Sequence, residues 1–177
     1  MTPPLRPTWL TGEHMYLRAM VAADKEHAAA WFDEVWPINA ARAEAVLKDE
    51  HKADRTPRLA LVRNDGDEIV GSVEVGTRDG YRRCSLVFHM APWLESGDAD
   101  ALRAEALRLV VPWLRDQVEV MVVTVHLAAD ATETVAAAEA LGMTRSVQLR
   151  EWVARPGHRV DKLIYQALNP RWEVRDA

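Results

Sequence analysis

The sequence has little of what stabilises secreted or metal-dependent folds. Its 177 residues include one cysteine, Cys84, which excludes an internal disulfide and a metal site built from cysteines. No apolar run approaches the ~18 residues of a membrane span. The opening segment "MTPPLRPTWLTGEH" lacks the apolar core of a signal peptide. We therefore expect a cytoplasmic protein that does not have a membrane as its partner.

The sequence also lacks an excess of positive charge. Asp and Glu number 27 against 22 for Lys and Arg, which gives a net charge of −5, and no basic block stands out. A nucleic-acid partner is therefore not expected. The chain is instead rich in hydrophobic residues (49%) with 28% charged residues, a composition typical of a soluble globular protein. Its length suits one domain, which we assign to residues 1–170, followed by a C-terminal tail at 171–177.

Hydrophobic periodicity and turn signals predict the element order β-α-α-β-β-β-α-β-α-β-β. A strand at 15–20 precedes two helices, the second with Asn39 as its N-cap. The turn signals "NDGD" and "TRDG" separate three antiparallel strands that end at Met90. A long helix, a buried strand at 118–127, a helix ended by Gly142 and a hairpin around "RPGH" follow. The sequence therefore predicts an α/β fold with a mixed, mainly antiparallel sheet.

One strand pair in this order should be parallel. Strands 81–90 and 118–127 are joined by a long helix, so we expect them to pair through a right-handed crossover. Ligands of open α/β sheets bind beyond the carboxyl ends of parallel strands. Those ends are His89-Met90 and His126-Leu127. Alternation along each strand would turn His89 and His126 toward one cleft, which is the candidate site.

The segment "PWLESGDADALRAEALRLVVPWL", residues 92–114, has the strand, tight loop and helix that commonly bind phosphate. Its start also carries carboxylates that repel phosphate, including Asp98 and Asp100. Two interpretations stay open. Residues 95–102 could be a degenerate pyrophosphate-binding loop, with Arg103 offsetting part of the repulsion. Alternatively, Asp98 caps an ordinary helix and Asp100 complements the dipole of that helix.

Several short motifs occur together in a fixed order: "LTGEHMYLRAMVAAD" near the start, "EIVGSVEV", "AEAL" at 104–107, "AEALGM" at 138–143 and the late Asp161. In order and spacing they resemble the GNAT superfamily of acyl-CoA N-acyltransferases, and its RimJ/RimL-like branch in particular. The resemblance covers nearly the whole chain. It implies a single GNAT-like domain whose central parallel strands splay apart.

The resemblance also implies a co-substrate, acetyl-CoA, and a primary amine as acceptor, on a small molecule or a protein N-terminus. The usual pyrophosphate pattern is Arg or Gln, two residues, Gly, one residue, then Gly or Ala. This chain has Ser96, Ala99 and Ala101 at those positions, so two of the three depart from the pattern. The residues implied in binding acetyl-CoA are Phe88, Met90, Gly97, Asp98, Ala99, Ala101, Leu102 and Arg103.

Acyl transfer to an amine needs a group that accepts the proton of the amine. His89 is the first candidate because histidine titrates near neutral pH, and His126 is its counterpart. Glu74, in a strand beside the cleft, is a third candidate. Where the family commonly has a glutamate in the strand, this chain has Ser85. The alternatives are strand-end histidines bonded to backbone and a glutamate on the solvent face.

The acceptor side in such proteins is formed by the two early helices. Trp31, Trp36 and Arg42 lie there and could select the acceptor, although the tryptophans could equally serve to pack the core. No HExxH-type helix is present, so no metal is expected.

A second function stays open beside acyl transfer. The carboxylates at the start of the helix and the alanine at position 99, where the pattern has a glycine, would also suit a GNAT-fold protein that has lost ordinary CoA use. Such a protein would serve as a different small-molecule enzyme or as a non-catalytic binding protein. A dimeric scaffold is a third interpretation. Arginines on the C-terminal strands could support a homodimer or an acidic acceptor, namely Arg145, Arg150, Arg155 and Arg159.

Overall fold

A computed structural model describes the chain at residues 8–32, 39–50, 58–78 and 82–172. The chain divides into two compact units. The first unit comprises Met1–Glu74 and Phe88–Leu94, and the second comprises Val75–Val87 and Glu95–Ala177. Strands β4 and β5 run from one unit into the other along the chain.

Eight strands and four α-helices make up the described structure. The strands are β1 (Thr8–Thr11), β2 (Met15–Ala19), β3 (Arg58–Arg63), β4 (Ile69–Arg78), β5 (Arg83–Met90), β6 (Val122–Ala128), β7 (Thr144–Arg155) and β8 (His158–Leu168). The helices are α1 (Ala28–Trp31), α2 (Ala40–Glu50), α3 (Ser96–Asp116) and α4 (Thr132–Ala140). Two 3₁₀ helices cover Ala22–His27 and Pro170–Trp172.

The strands form one sheet in the order β1-β2-β3-β4-β5-β6-β8-β7. The described pairs β1-β2, β2-β3, β3-β4, β6-β8 and β7-β8 are antiparallel. β5 pairs with β6 in parallel, from Arg83–Leu86 to Val122–Val125. The predicted fold class is therefore confirmed. The described parallel pairing ends at Leu86 and Val125, and the splay of these strands stays a prediction.

Two predicted hairpins are confirmed, and both use residues that tolerate a positive φ. The β3-β4 turn contains Gly66 at φ 81° and Asp67 at φ 54°. Asp67 also accepts a hydrogen bond of 2.9 Å from the Tyr16 hydroxyl. In the β7-β8 turn, Gly157 has φ 77°. Glycine adopts this region without steric cost, which explains its place in both turns.

The core of the first unit surrounds Trp31, whose side chain is fully buried. Its indole N–H donates to the backbone oxygen of Asp24 at 2.8 Å. Helix α2 packs on this core through Ala43 and Leu47. The predicted cap of α2 is present, because the Asn39 side chain accepts the Arg42 backbone N–H at 2.9 Å.

Three elements differ from the prediction. β1 was not predicted and pairs with β2. The helix predicted after β2 begins as the 3₁₀ turn Ala22–His27, in which the Asp24 carboxylate is held by Arg18 and by the Val21 backbone N–H. The buried strand predicted from residue 118 starts at Val122 instead, because Glu119 adopts φ 59° and interrupts the extended backbone.

The end of the chain bears on the predicted division into a domain and a tail. The 3₁₀ helix Pro170–Trp172 spans the predicted boundary, and the Trp172 indole donates to the Glu119 backbone oxygen at 3.1 Å. Residues 173–177 lie outside the described residues, and the division at 170 stays a prediction. In the described ranges, no helix combines the length and the hydropathy needed to cross a membrane.

Candidate functional site

A row of three polar side chains crosses the sheet of the first unit. Arg58 on β3 and Glu74 on β4 are direct cross-strand partners, and the Arg58 Nη2 group donates a hydrogen bond to Glu74 Oε1. His89 on β5 places its Nε2 atom 3.7 Å from the same carboxylate oxygen. The Glu74 carboxylate therefore lies between a guanidinium and an imidazole.

The charge of Glu74 is stabilised by both neighbours. Hydrogen bonding with His89 is the main cause that lowers the pKa of Glu74, and the charge of Arg58 lowers it further, although partial burial acts in the opposite direction. The 3.7 Å separation of His89 Nε2 from Glu74 Oε1 is long for a hydrogen bond, so this contact is weaker than the hydrogen bond between Arg58 and Glu74. Glu74 is ionised at neutral pH and is not the solvent-facing glutamate of the alternative interpretation.

Arg58 is a site residue that the sequence reasoning missed. Its side chain is 8% exposed and donates to the Trp31 backbone oxygen at 3.0 Å. The guanidinium also lies 5.5 Å from the Trp31 ring centroid and 5.8 Å from that of Phe32, which suits a cation–π contact. Arg58 lies six residues before the "NDGD" turn and Glu74 seven residues after it, and the register shift between Leu61 and Val62 makes the two residues partners.

Gly71 brings the backbones of β4 and β5 together beside His89. A Cβ atom at this position would lie 2.3 Å from the His89 backbone oxygen and 3.3 Å from the Met90 Cα. Real Cβ atoms do not approach backbone so closely, and glycine is therefore required here. Gly71, the glycine of "EIVGSVEV", therefore permits the close approach of β4 and β5 that sets the position of the His89 backbone.

The second unit contains a cavity of about 580 Å³ between the first turns of α3 and α4. We call it the α3/α4 cavity. Its lining residues are Ser96, Gly97, Ala99, Asp100, Arg103, Asp130, Ala131, Thr132, Glu133 and Arg155. Three residues predicted to bind the co-substrate therefore lie at one cavity: Gly97, Ala99 and Arg103. The segment predicted as a loop over 95–102 is helical from Ser96 onward.

Asp100 does not have the role predicted for it. It is 8% exposed, and its carboxylate accepts the backbone N–H groups of Glu133 at 2.8 Å and Thr134 at 3.2 Å. The Thr134 hydroxyl donates to the same carboxylate at 2.5 Å. Asp100 therefore caps the start of α4 instead of complementing α3. Asp98 does not cap α3 either, because Glu95 is the N-cap residue and Asp98 lies within the first turn.

Two arginines contribute positive charge to the α3/α4 cavity. Arg155 makes a two-pronged ion pair with Asp130, at 2.7 Å and 2.9 Å, and this hydrogen bonding lowers the pKa of Asp130. Arg103 lies 3.7 Å from Asp100, and burial lowers the pKa of its guanidinium.

The α3/α4 cavity has features that favour an anion, although the carboxylates of Asp100, Asp130 and Glu133 also line it. Backbone N–H groups at the start of α3 and the two guanidinium groups favour an anion. At Gly97, an added Cβ would meet no atom within 4 Å, so the approach to the helix start is open.

A smaller cavity of about 300 Å³ in the second unit holds the other predicted histidine. It is lined by Gly76, Arg83, Cys84, Ser85, Thr124 and His126. Burial is the main cause that lowers the pKa of His126, and the charge of Lys162 adds to it. Burial also raises the pKa of the Cys84 thiol to about 12, so Cys84 is a poor nucleophile. The proximity of His89 and His126 stays a prediction.

The remaining predicted site residues are scattered. Trp31 is fully buried, so the alternative of a packing tryptophan is correct and acceptor contact by its side chain is not. Arg42 is exposed at the start of α2, and Trp36 lies outside the described residues. Of the predicted co-substrate ligands, Phe88, Met90 and Ala101 are half-buried and Asp98 is exposed. Leu102 is only 6% exposed, which removes its side chain from ligand contact.

A close relative establishes the family. A protein from Sphaerobacter thermophilus DSM 20745 assigned as an acetyltransferase is 55% identical to this chain, with a TM-score of 0.74, and the match covers 94% of this chain and 99% of that one. The chain belongs to the GNAT family of acetyltransferases. It is a GNAT-type enzyme, and such enzymes use acetyl-CoA as co-substrate.

More distant structures share the fold alone. The ribosomal-protein-S5-alanine acetyltransferase from Vibrio fischeri has a TM-score of 0.68 at 14% identity, and the match covers 93% of this chain and 98% of that one. The spermidine/spermine N-acetyltransferase from Vibrio cholerae has a TM-score of 0.65 at 17% identity, covering 90% and 95% respectively. No family model and no curated protein matches the chain.

Proposed function

We propose that this protein transfers an acetyl or other short acyl group from acyl-CoA to a primary amine, and that it belongs to the RimJ/RimL-like branch. The observation that carries the proposal is the Arg58–Glu74–His89 row. This chain has Ser85 where the family commonly has a glutamate in the strand. The row supplies another group, His89, that can remove a proton from the amine. His89 is the base, while Glu74 supports it and does not act as the base itself.

The proton transfer follows from the charges around His89. Acetyl-CoA supplies the activated acyl group as a thioester. As the amine nitrogen forms its bond to the carbonyl carbon and the carbon–sulfur bond breaks, the His89 imidazole accepts the proton that the nitrogen loses. The ionised Glu74 stabilises the imidazolium that results, and Arg58 holds Glu74 in position. The leaving thiolate takes up the proton that the imidazolium releases, so His89 returns to its neutral form and the reaction is balanced.

The phosphates of the co-substrate are assigned to the α3/α4 cavity. The degenerate pattern at Ser96, Ala99 and Ala101 is tolerable because Asp100 is engaged by α4. Three donors compensate its charge, so it repels a phosphate less than a free carboxylate would. Gly97 leaves the approach to the helix start open. The repulsion that the sequence suggests is therefore reduced, although Asp98 and Glu133 remain.

The acceptor is proposed to be a small-molecule amine or the N-terminus of a protein. Both classes occur among proteins of the same fold, as the names of the ribosomal-protein-S5-alanine and spermidine/spermine enzymes state. A cytoplasmic location and a homodimer belong to the same proposal.

The experiment that tests the proposal combines binding with turnover. Acetyl-CoA is titrated into the protein by calorimetry, and thiol release is then followed with spermidine and with a peptide that begins with alanine. Micromolar binding and thiol release that depends on one of the amines are expected. A protein that binds no acetyl-CoA at millimolar concentration would contradict the proposal and favour a GNAT fold that has lost CoA use.

The second candidate is such a repurposed enzyme, and the smaller cavity favours it. There Ser85, Thr124 and His126 face the same space, so a small molecule could be handled without CoA. This candidate predicts that His126→Ala abolishes activity while His89→Ala does not. The acetyltransferase proposal predicts the reverse.

A further inference from the structure

The Arg155–Asp130 ion pair at the α3/α4 cavity has no part in the proton transfer. We propose that Arg155 is a specificity residue that recognises a phosphate of the acyl carrier, exchanging its Asp130 partner for that phosphate. The inference rests on the proposed function. It assigns to β7 a role in distinguishing CoA from carriers with fewer phosphates.

The position and exposure of the pair support an exchange. Arg155 is the last residue of β7 and reaches the cavity, where its Nε and Nη2 atoms both donate to the Asp130 carboxylate. The Arg155 side chain is 36% exposed and that of Asp130 is 39% exposed. Exposed ion pairs contribute little to stability, so this pair can open at little cost. The planar fork that binds a carboxylate with two hydrogen bonds binds a phosphate equally well.

A second guanidinium makes an anion favourable at the same place. Arg103 lines the cavity and is 25% exposed, with Asp100 at 3.7 Å. Asp100 is a weak partner for it, because its oxygens already accept hydrogen bonds from Glu133 and Thr134. The charge of Arg155 disfavours the charged form of Arg103 and helps to lower its pKa. Two like charges and two helix starts around one cavity would all be stabilised by a bound phosphate.

The Asp130 carboxylate and a phosphate would compete for the Arg155 guanidinium. If Asp130 only competes with phosphate for Arg155, its removal should strengthen phosphate binding, whereas removal of Arg155 should weaken it. If the ion pair only shapes the cavity, both removals should have the same effect. Asp130→Asn and Arg155→Gln therefore differ in the direction of their effect on affinity.

The test is a calorimetric titration of CoA into the wild-type protein and the variants Arg155→Gln, Arg155→Lys and Asp130→Asn. Arg159→Gln is the matched control, because Arg159 lies on the same hairpin and donates to the backbone oxygens of Glu151 and Trp152. We expect Arg155→Gln to weaken CoA binding about tenfold and Asp130→Asn to bind as tightly as wild type or several-fold tighter. Arg155→Lys should be intermediate, because lysine keeps the charge and loses the fork.

Dephospho-CoA and 4′-phosphopantetheine distinguish which phosphate is recognised. If Arg155 binds the 3′-phosphate, Arg155→Gln and wild type should bind dephospho-CoA equally. If it binds the pyrophosphate, the tenfold difference should persist with dephospho-CoA and shrink with 4′-phosphopantetheine. Either result supports the inference.

Three results would overturn it: equal CoA affinity of Arg155→Gln and wild type, parallel losses in Arg155→Gln and Asp130→Asn, or an equal loss in Arg159→Gln. If wild type binds CoA but Arg155→Gln is unchanged, only this inference fails. If wild type binds no CoA, the proposed function fails with it. Circular dichroism spectra of each variant confirm that it is folded before the comparison.

Discussion

At the scale of single residues, the Asp100 carboxylate serves a helix other than its own. It lies in α3 but accepts hydrogen bonds from Glu133 and Thr134 at the start of α4. These residues are 33 and 34 positions away in the sequence. A residue that looked like an obstacle to phosphate is thus a structural cap, and it positions α4 at the rim of the α3/α4 cavity.

The first prediction concerns this cap. Asp100→Ala should lower the free energy of unfolding by about 2–3 kcal/mol, because it leaves the backbone N–H groups of Glu133 and Thr134 without their acceptor. The Thr134 hydroxyl would keep only the backbone oxygen of residue 100, at 3.2 Å. Asp98→Ala is the matched control and should cost less than about 1 kcal/mol, because Asp98 is exposed and acts only on the α3 dipole. Urea denaturation measures both. Equal effects of the two substitutions would contradict the capping role.

The second prediction uses the lowered pKa of Glu74. A carboxyl whose pKa is lower in the folded than in the unfolded chain stabilises the fold above its unfolded pKa, about 4.3 for glutamate. That contribution is lost as the pH falls through the lower, folded pKa. The stability advantage of wild type over Glu74→Gln should therefore be full at pH 6–7 and shrink below about pH 4.3.

Unfolding experiments across this pH range check the Glu74 prediction. Glu44→Gln is the control, because Glu44 also has a pKa lowered by hydrogen bonds with Lys48 and Lys25 but lies at the surface, where water screens its charge. It should change stability little at any pH. An advantage over Glu74→Gln that stays constant down to pH 3 would show that the Arg58–Glu74–His89 row does not stabilise the carboxylate.

At the scale of elements, the close approach of β4 and β5 at Gly71 is the feature that sets the position of His89. The third prediction is that Gly71→Ala lowers the free energy of unfolding by about 1–3 kcal/mol. The added methyl would lie 2.3 Å from the His89 backbone oxygen, so the strands must separate. The same change should reduce acyl transfer by displacing His89, and both effects can be measured on one purified variant.

Gly97→Ala is the matched substitution for Gly71→Ala. At Gly97 an added Cβ meets no atom within 4 Å, and alanine is the better helix former, so stability should stay equal or rise by up to about 1 kcal/mol. If Gly71→Ala is as stable as Gly97→Ala, the close approach of β4 and β5 does not require a glycine.

The same elements show how far local sequence determines this fold. The hairpins at "NDGD" and "RPGH", the Asn39 cap and the order of the long elements depend on near neighbours, and periodicity and turn chemistry predicted them. β1 was missed because its four residues are defined by pairing with β2, which leaves no local pattern. The first helix was predicted as one regular helix because the effect of Arg18 on Asp24 is tertiary.

The candidate site likewise contains residues that the sequence predicts and residues that only the folded structure identifies. His89 could be proposed from its place at the end of a strand, and Glu74 from its place in a strand beside the cleft. Arg58 required the register of the β3-β4 hairpin, and the Asp100 cap required the packing of α3 against α4. Residue types can be read from a sequence, but partners far apart along the chain follow only from the folded sheet and helices.

At the scale of the whole molecule, the chain carries the chemistry of its family in two separately described parts. The first unit holds the row of Arg58, Glu74 and His89, which we propose accepts the proton, and the second holds the α3/α4 cavity, which we propose binds the phosphates. The fourth prediction is that acetyl-CoA stabilises the protein by mass action, by about 2.7 kcal/mol at 100 times its dissociation constant. Thermal unfolding with and without acetyl-CoA checks it, and an unchanged transition at millimolar ligand would argue against co-substrate binding.

The central claim is that His89 is the base of an acetyl-CoA-dependent transfer to an amine. The most direct measurement is kcat for thiol release by wild type, His89→Ala and His126→Ala with an accepted amine, together with the Kd of each for acetyl-CoA. The account predicts that His89→Ala loses about 10²–10⁴-fold in kcat with an unchanged Kd, while His126→Ala stays within a few-fold of wild type. A His89→Ala enzyme that retains the wild-type kcat would contradict the account.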